Sequence, residues 1–282
     1  MRGRVLIVAG SDSGGGAGIQ ADIKTVTMLD AFAATAVTAL TAQNTQGVFG
    51  VLPIAPEFIR RQMEVVLDDI GADSVKTGML HDEGVIEAVA DVLAARASAI
   101  PLVVDPVMVA KGGAPLIEPG AILTLKRLLV PRAAVLTPNL PEAEILAGCT
   151  IDSLAAMHSA AERLLGLGCR AVLLKGGHLP GGTVYDVLAT ASGRRVWQSP
   201  RIDSRHTHGT GCTLASAIAA GLAQGMAVEA AVERARDYVQ RAILSAPGLG
   251  HGHGPLDHAH PLRAGAGDFL RRPGGSGARR RQ

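Results

Sequence analysis

Short segments made only of apolar residues alternate along this chain with longer segments whose apolar residues recur at helical spacing. Val5 to Ala9 is the first apolar segment, and a helical pattern follows over residues 19–29. Strands without polar residues are typical of a sheet covered on both faces. Strands that alternate with helices pair in parallel through right-handed crossovers. The alternation therefore predicts an α/β protein with a mostly parallel central sheet.

The remaining elements are predicted from the same two patterns. Further strands are predicted at residues 35–40, 74–76, 101–104, 133–136 and 170–174, and an edge hairpin at 183–189 and 194–197. Further helices are predicted at residues 56–67, 83–97, 212–223 and 228–244. No internal repeat or interdomain linker interrupts this order, so we expect a single domain over residues 1–262.

Residues 263–282 differ from the rest of the chain. They are rich in glycine, contain little apolar surface and carry six arginines against one acidic residue, Asp268. The net charge of +2 for the whole chain therefore comes from this segment. Because such a segment cannot bury a core, we expect a disordered tail.

Composition argues against several classes of partner. Only 2% of the 282 residues are aromatic, which disfavours modules that bind nucleic acid by base stacking. Cys149, Cys169 and Cys212 lie far apart without a Cys-x-x-Cys pair, which favours a reducing, cytoplasmic location over disulfides or a zinc site. The longest weakly polar run, residues 31–42, is shorter than the roughly 18 residues that a membrane span needs. We expect neither a nucleic-acid nor a membrane partner.

The segment His206 to Leu214 is typical of a tight loop that opens into a helix. Gly209 and Gly211 precede an Ala-rich helical pattern, and Cys212 falls in its first turn. The first amides of a helix point outward with the positive end of the dipole, so such a loop binds phosphate and favours a thiolate. The alternative is a simple turn with a cysteine that only packs.

Two known phosphate motifs do not fit this chain. The glycine runs at 14–19 and 209–214 both lack the third glycine of the dinucleotide fingerprint, which disfavours a nicotinamide-dependent oxidoreductase. No Gly-Lys-Ser/Thr sequence of a P-loop is present either. If ATP binds, it binds at the loop before the helix at 212–223.

Polar residues recur at the carboxyl ends of the apolar segments. They are Asp12, Gln43, Asp105, Lys111, Asn139, Glu142 and Lys175. In open parallel sheets the ligand crevice lies at those strand ends. We therefore expect these side chains and the loop at 208–212 to share one site.

Four segments carry a resemblance to a known family. They are residues 10–22 (Gly-Ser-Asp-Ser-Gly-Gly-Gly-Ala-Gly-Ile-Gln-Ala-Asp), 41–45 (Thr-Ala-Gln-Asn-Thr), 105–113 (Asp-Pro-Val-Met-Val-Ala-Lys-Gly-Gly) and 208–214 (His-Gly-Thr-Gly-Cys-Thr-Leu). Together they resemble the hydroxymethylpyrimidine/phosphomethylpyrimidine kinases of thiamine biosynthesis, in the ribokinase-like superfamily. The resemblance implies a three-layer α/β/α fold and a homodimer. It also implies two ATP-dependent phosphorylations, of 4-amino-5-hydroxymethyl-2-methylpyrimidine and then of its monophosphate.

The chemistry of the pyrimidine ring indicates which side chain binds it. A 4-aminopyrimidine presents an amine donor beside a ring-nitrogen acceptor, and a glutamine amide matches both groups. Gln43 is therefore predicted to bind the ring, the alternative being an exposed amide at a strand end. The resemblance adds a set of pocket residues: Asp22, Gly10, Ala17, Met79 and Val107.

Asp105 ends a wholly apolar strand, where a carboxylate must be paired or metal-bound. With Glu142 it is predicted to hold hydrated Mg²⁺, which needs few protein carboxylates. Alternatively, Asn139 caps a helix and Glu142 is an acid of its first turn, and both interpretations can hold together. The residues predicted to contact the phosphates of ATP are Lys175, Lys111, Thr210 and Asn139. Lys111, between glycines, could close over the site.

Most ribokinase-like sugar kinases carry an aspartate base at the position of Cys212. The resemblance therefore implies that Cys212, with its pKa lowered by the helix N-terminus, takes the proton of the hydroxymethyl group. The amides of Gly209, Gly211 and Cys212 would stabilise the transferred phosphoryl group. Because the second substrate is already ionised, Cys212→Ala is predicted to damage the first phosphorylation far more than the second.

Two rival functions remain at this point. A pyridoxine-type kinase shares the superfamily fold, and Gln43 discriminates because pyridoxine lacks the amine donor. A pyrimidine sensor without catalysis would keep the pocket, but the presence of Cys212, Asp105 and Glu142 argues against it.

Overall fold

The computed structural model describes residues 1–109, 113 and 115–264. The strands within these described residues are β1 Arg4–Ala9, β2 Phe32–Val37, β3 Ala39–Asn44, β4 Gly47–Pro53, β5 Ser74–Thr77, β6 Leu102–Val104, β7 Ala133–Leu136, β8 Ala171–Lys175, β9 Thr183–Thr190 and β10 Gly193–Pro200. Eight of them form one sheet in the order β10-β9-β8-β7-β6-β5-β1-β2. The pairs from β8 to β2 are parallel, while β9 and β10 form an antiparallel edge hairpin. The predicted mostly parallel sheet is confirmed.

Helices cover both faces of this sheet. They are α1 Gly18–Met28, α2 Pro56–Asp69, α3 Glu83–Arg96, α4 Pro119–Leu128, α5 Leu140–Ala147, α6 Leu154–Leu165, α7 Thr210–Ala223, α8 Val228–Leu244 and α9 His260–Ala264, with a 3₁₀ turn at Val130–Arg132. Leu6 and Val8 of β1 pack with α2 to α6, whereas Val5 and Ile7 pack with α1, α7 and α8. Successive residues of a strand point to opposite faces, so one apolar segment supplies both cores. The three-layer α/β/α prediction is confirmed.

The strand predicted at 35–40 is wrong in its extent. β2 ends at Val37 and β3 begins at Ala39, so the predicted segment spans two strands. Thr38 turns the chain between them: its amide donates to Ala9 O at 3.0 Å and its hydroxyl to Met79 O at 2.6 Å. The apolar pattern continues through this turn because Thr38 is fully buried, which hides the break from periodicity alone.

β3 and β4 form a separate two-stranded antiparallel ribbon. Along β3 the partly buried side chains of Thr41 and Gln43 alternate with exposed neighbours. Leu40, Phe49 and Leu52 are exposed on this ribbon, at 45%, 70% and 62% of their surface. The ribbon therefore has one side toward the body of the protein and apolar side chains in solvent.

Two predictions concern segments that are only partly described. Lys111 lies outside the described residues, and so does the predicted tail beyond residue 264. Among the described residues, none of the helices combines the length and the apolar character that crossing a membrane requires.

Candidate active site

A cavity of about 1070 Å³ opens at the carboxyl ends of the parallel strands. It is bordered by the following residues predicted from the sequence: Gly10, Ala17, Gln43, Met79, Asp105, Val107, Asn139, Glu142, Lys175, Gly209, Thr210, Gly211 and Cys212. Parallel strands deliver their C-terminal residues to the same edge of a sheet, which brings these distant positions together.

The loop before α7 has the geometry of an anion site. Gly209 caps the helix with φ of 82°, and a Cβ there would lie 1.9 Å from Gly16 O, so only glycine fits. The first intrahelical bond runs from Thr213 N to Gly209 O at 2.9 Å. The amides of Gly211 and Cys212 precede that bond, so they have no partner within the helix and are available to an anion in the cavity.

An ion pair adjoins this helix terminus. Lys175 Nζ donates to Asp105 Oδ1 at 3.2 Å, and Thr137 Oγ1 donates to the same oxygen at 3.1 Å. Burial alone would lower the pKa of Lys175, but the carboxylates of Asp105 and Glu142 outweigh it and raise the pKa. A Cβ on Gly211 would lie 3.3 Å from Lys175 Nζ, so the ammonium group reaches the first turn of α7. A permanent positive charge thus lies beside free amides.

Asn139 and Glu142 form a capping box at the start of α5. Asn139 N donates to Glu142 Oε2 at 2.8 Å, and Glu142 N donates to Asn139 Oδ1 at 2.9 Å. The helix-cap interpretation of both residues is therefore confirmed. Burial and the nearby charge of Asp105 raise the pKa of Glu142 to about 7, although Lys175 opposes them. The pair Asp105 and Glu142 thus concentrates negative charge that a cation would relieve.

These residues fit a hydrated divalent cation. Among the described residues, no group of three or more His, Cys, Asp or Glu side chains could hold a metal. Mg²⁺ keeps several waters and needs only one or two carboxylates. Thr137 and Lys175 both donate to Oδ1 of Asp105, which leaves Oδ2 for a further ligand. The pair Asp105 and Glu142 meets that requirement.

Cys212 lies in the first turn of α7, as predicted, but its predicted pKa shift is wrong. Burial raises the pKa of the thiol to about 12; the charge of Lys76 lowers it, and those of Asp22 and Asp105 raise it. The helix dipole alone would lower this pKa, whereas the fold brings two carboxylates from other elements to the sulfur. The sulfur is therefore a thiol in the protein alone.

Asp22 does not border the cavity, contrary to its predicted role in the pyrimidine pocket. It is fully buried and accepts two bonds from Lys76 Nζ, at 2.9 and 2.8 Å, and one from Ser216 Oγ at 2.7 Å. Burial alone would lower the pKa of Lys76, but Asp22, Cys212 and Asp105 raise it instead. Asp22 therefore binds Lys76 and Ser216 beneath the cavity surface and does not line the cavity itself.

Lys76 was not predicted as a site residue. It borders the cavity although its side chain is fully buried. A lysine inside the short buried strand Ser74–Thr77 was the available signal, because a charge there requires a partner.

The part of the cavity that adjoins the loop before α7 holds the predicted pyrimidine residues. A Cβ on Gly10 would lie 2.9 Å from Met79 Cε, so this glycine admits the methionine as an apolar wall. Gln43 Oε1 lies 3.3 Å from Thr41 Oγ1, and its Nε2 lies 3.3 Å from His208 Nε2. Gln43 is partly buried and directed at the cavity, unlike the solvated strand-end amide of the alternative interpretation.

Asp12 was expected at the site as a strand-end residue but was given no role, and its contact with His208 was not predicted. The carboxylate of Asp12 accepts from the amides of Gly14, Gly16 and Ala17 at 2.8 to 3.1 Å. It also contacts His208 Nε2 at 2.8 Å. An acid followed by glycines directly after the first strand was the signal for this loop, but the partner lies 196 positions away.

The far end of the cavity is built by the edge hairpin and α8. Residues that border it there include Val184, Ser199, Ile202, Val239 and Ile243. Arg236 Nε donates to Asp186 Oδ2 at 2.7 Å, and Gly176 N donates to Asp186 Oδ1 at 3.1 Å. These residues were not predicted, since none follows a parallel strand.

Comparison with known proteins agrees with the fold and the motifs. The sequence model of the phosphomethylpyrimidine kinase family matches residues 12–257. The chain belongs to this family. As a phosphomethylpyrimidine kinase family member it is a phosphotransferase, and its fold is ribokinase-like.

Three known proteins illustrate the range of similarity. The thiamine biosynthesis bifunctional protein ThiED of Geobacter sulfurreducens is 53% identical over 91% of this chain, which spans only 52% of that protein. The hydroxymethylpyrimidine/phosphomethylpyrimidine kinase of Bacillus subtilis is 48% identical over 90% of this chain and 94% of its own length. An ADP complex of Bacillus subtilis pyridoxal kinase is 35% identical with a TM-score of 0.85, covering 94% of this chain and all of that one. The family member thus has relatives named for two different heterocycles.

Proposed function

We propose that the protein transfers a phosphoryl group from ATP to the alcohol of 4-amino-5-hydroxymethyl-2-methylpyrimidine and then to the resulting monophosphate. The observation that carries the proposal is one cavity with Gln43 on one wall and the α7 terminus with Cys212 on another. Gln43 supplies an amide for the aminopyrimidine, and the helix terminus supplies amides for the phosphoryl group. The names of the relatives support the same substrate.

In the first step the alcohol oxygen forms a bond to the γ-phosphorus while the bond from phosphorus to the ADP oxygen breaks. The amides of Gly211 and Cys212, with the ammonium of Lys175, lie together where charge accumulates on the transferred group. Gly209 fixes that turn, and Thr210 borders the same cavity. A contribution of Lys111 stays a prediction, since it lies outside the described residues.

Cys212 relays the alcohol proton in this proposal, accepting it while passing its own thiol proton to the transferred phosphoryl group. With its pKa raised to about 12, the sulfur is protonated before the reaction, so it first positions the alcohol as a hydrogen-bond partner. Phosphoryl transfer has a loose transition state in which the acceptor loses its proton late. The thiol then exchanges protons only as the bond to phosphorus forms: it accepts the alcohol proton while its own proton goes to an oxygen of the transferred phosphoryl group, and Lys76 favours any negative charge on sulfur.

Mg²⁺ would be held by Asp105 and Glu142, and when bound it would neutralise charge on the nucleotide phosphates. Asn139 fixes the carboxylate of Glu142 through its own amide. The nucleoside of ATP would occupy the end of the cavity between the edge hairpin and α8, where Val239 and Ile243 offer apolar surface.

The product experiment tests the whole assignment. Incubation with the aminopyrimidine alcohol and MgATP, followed by mass-resolved analysis, should give a monophosphate and then a diphosphate. A monophosphate alone would limit the protein to the first reaction. Absence of any ADP formation would favour the sensor function, in which the pocket binds without catalysis.

A pyridoxal-type kinase is the second candidate, because the structural relative with TM-score 0.85 carries that name. Gln43 offers its amide to an amine and ring nitrogen, which pyridoxal does not present side by side. Competition between the two substrates for limiting enzyme decides between them. We expect kcat/KM for the aminopyrimidine alcohol to be the larger by at least about tenfold.

We also propose a homodimer and a cytoplasmic location. The exposed Leu40, Phe49 and Leu52 of the ribbon formed by β3 and β4 supply the apolar surface that an interface requires. Light scattering should give twice the chain mass, and a Phe49→Ser, Leu52→Ser variant should be monomeric. The location rests on the free state of the cysteines at 149, 169 and 212.

A further inference from the structure

Gln43 is held in an unusually defined position for a side chain on a two-stranded ribbon. The register of β3 and β4 shifts between Ala42 and Gln43, which re-aims the side chain. Ser13 fixes the backbone there: Gln43 N donates to Ser13 Oγ at 2.8 Å, and Ser13 Oγ donates to Gln43 O at 2.8 Å. The backbone of Gln43 is therefore fixed, and the contacts of its side chain decide how the amide group is oriented.

His208 presents a hydrogen-bond donor to this amide. Its Nε2 lies 2.8 Å from Asp12 Oδ2. An ionised carboxylate can only accept, so Nε2 carries a proton in whichever form the ring adopts. Burial alone would raise the pKa of Asp12, but His208 and the amides of Ala17 and Gly14 lower it, which keeps the carboxylate ionised.

The donor on His208 determines which end of the amide faces it. With Gln43 Nε2 toward His208 Nε2, at 3.3 Å, the amide N–H would face a protonated ring nitrogen, which cannot accept a hydrogen bond. Rotation of the amide by half a turn instead places Gln43 Oε1 against this N–H, whose proton it shares with Asp12 as the longer branch of a bifurcated bond. Hydrogen bonding therefore places the amide oxygen on the side of His208.

Thr41 leads independently to the same orientation. Its hydroxyl donates its single proton to Ser11 O at 2.8 Å. The amide atom 3.3 Å from Thr41 Oγ1 therefore has to be a donor, which is the NH₂ group of Gln43. His208 and Thr41 flank the amide and require opposite ends of it, so neither constraint depends on the other.

We propose that His208, held by Asp12, and Thr41 lock the Gln43 amide in one orientation and thereby determine the donor and acceptor order that the pocket accepts. His208 is a positioning residue here, because it acts through Gln43. The inference rests on the proposed function in that Gln43 is taken to contact the pyrimidine. The outer edge of the amide then presents its oxygen near His208 and an N–H near Thr41.

This order distinguishes two closely related rings. The aminopyrimidine places an amine donor against the amide oxygen and its ring nitrogen against the N–H. The 4-oxo analogue, 5-hydroxymethyl-2-methylpyrimidin-4(3H)-one, has the same shape but a carbonyl acceptor and a ring N–H donor. A free glutamine could rotate to fit either ring, whereas a locked one repels the second. The structure thus assigns to His208 a contribution to selectivity.

The test compares kcat/KM for the two rings with ATP in wild type, His208→Leu, His208→Gln and Thr41→Val. The preference for the amino ring should fall by about tenfold in His208→Leu and by a similar factor in Thr41→Val, since each frees the amide. A tenfold change corresponds to about 1.4 kcal/mol. His208→Gln restores an NH₂ donor toward Asp12 and Gln43, so it should retain most of the preference.

A role of His208 in folding alone would reduce turnover of both rings equally and leave their ratio unchanged. That result in His208→Leu and Thr41→Val would overturn the proposal. Thr41→Val lies outside the loop before α7, so it tests the lock even if His208→Leu does not fold. Failure of the proposed function is distinct, because wild type would then phosphorylate neither ring.

Discussion

Two ion pairs of the same chemistry lie on either side of Cys212 but differ in access to solvent. The sealed pair, Asp22 with Lys76, has side chains that are completely buried. The open pair, Asp105 with Lys175, joins at 3.2 Å and borders the cavity, with 15% of the Lys175 side chain exposed. Both ammonium groups interact with Cys212, yet only the side chain of Lys175 is exposed to solvent.

The number of bonds within each pair explains the difference. In the sealed pair both carboxylate oxygens of Asp22 are occupied by Lys76, and Ser216 adds a third bond. In the open pair Oδ1 of Asp105 takes both contacts, so the other oxygen is left for a ligand. We infer that the sealed pair fixes the relative positions of α1, β5 and α7. The open pair instead balances the negative charge of the nucleotide phosphates.

Breaking the sealed pair should have the largest effect. Lys76→Met leaves Asp22 as an uncompensated buried charge and should reduce the free energy of unfolding by about 4 kcal/mol. Urea denaturation measures the change. The double variant Asp22→Asn, Lys76→Met removes both charges and should recover more than half of the loss, while Asn keeps an acceptor for Ser216. A single variant as stable as wild type would show that the sealed pair has no structural role.

The open pair should respond in activity instead of stability. Lys175→Met removes a charge beside the α7 terminus and should reduce kcat/KM of both phosphorylations by about 10²- to 10³-fold. Its loss of unfolding free energy should be clearly smaller than that of Lys76→Met, because the site is open to water. Lys175→Arg, which keeps the charge, is the control and should retain more activity than Lys175→Met. Equal destabilisation by Lys76→Met and Lys175→Met would remove the distinction between the pairs.

The open pair was predictable from the sequence, and the sealed pair was not. Asp105 and Lys175 each follow an apolar strand, and a parallel sheet collects such positions at one edge. Asp22 lies within helix α1 and its partner on a strand 54 positions away, so its burial depends on packing that periodicity does not contain. The pKa of Cys212 was misjudged for the same reason, since it depends on Asp22 and Asp105 brought in from other elements.

The elements show a similar limit. Strands β1 and β8 were predicted nearly to the residue because both are buried on both faces. Helices α4 and α6 were not predicted, and α5 was anticipated only as a helix start at Asn139 in the alternative interpretation of that residue. The capping box of Asn139 and Glu142 was anticipated as an alternative to metal binding, and the structure shows that one residue pair can fix the helix and still border the site.

Cys212 interacts with charged groups of both pairs, and these groups affect the pKa of its thiol. Cys212→Ala should reduce the first phosphorylation by about 10²-fold and the second by less than about tenfold, because only the first acceptor has to lose an alcohol proton. Separate rate measurements with the alcohol and the monophosphate give both values. With the pKa raised to about 12, the thiol stays protonated near neutral pH and should add no inflection to the pH profile there.

Cys212→Ser is the matched control for that experiment. It keeps a hydroxyl that can position the alcohol, so it should retain more of the first reaction than Cys212→Ala. Equal losses in both steps for Cys212→Ala would contradict a proton-accepting role. An inflection near neutral pH that disappears in Cys212→Ser would show that the thiol titrates far below its expected range.

Thr213, the residue after Cys212, and His258 are also buried. Their contact gives the smallest predicted effect, a change of stability with pH. Thr213 Oγ1 lies 3.0 Å from His258 Nε2, and burial, with the charges of Lys24 and His260, lowers the pKa of His258 to about 4. The unfolded chain takes up this proton below about pH 6.5 while the folded protein does not, so stability falls as pH decreases from 6.5 toward 4. The loss should approach roughly 2 kcal/mol at pH 4.5 by urea denaturation. His258→Gln should show a correspondingly shallower dependence, and equal slopes for both proteins would mean that water reaches His258.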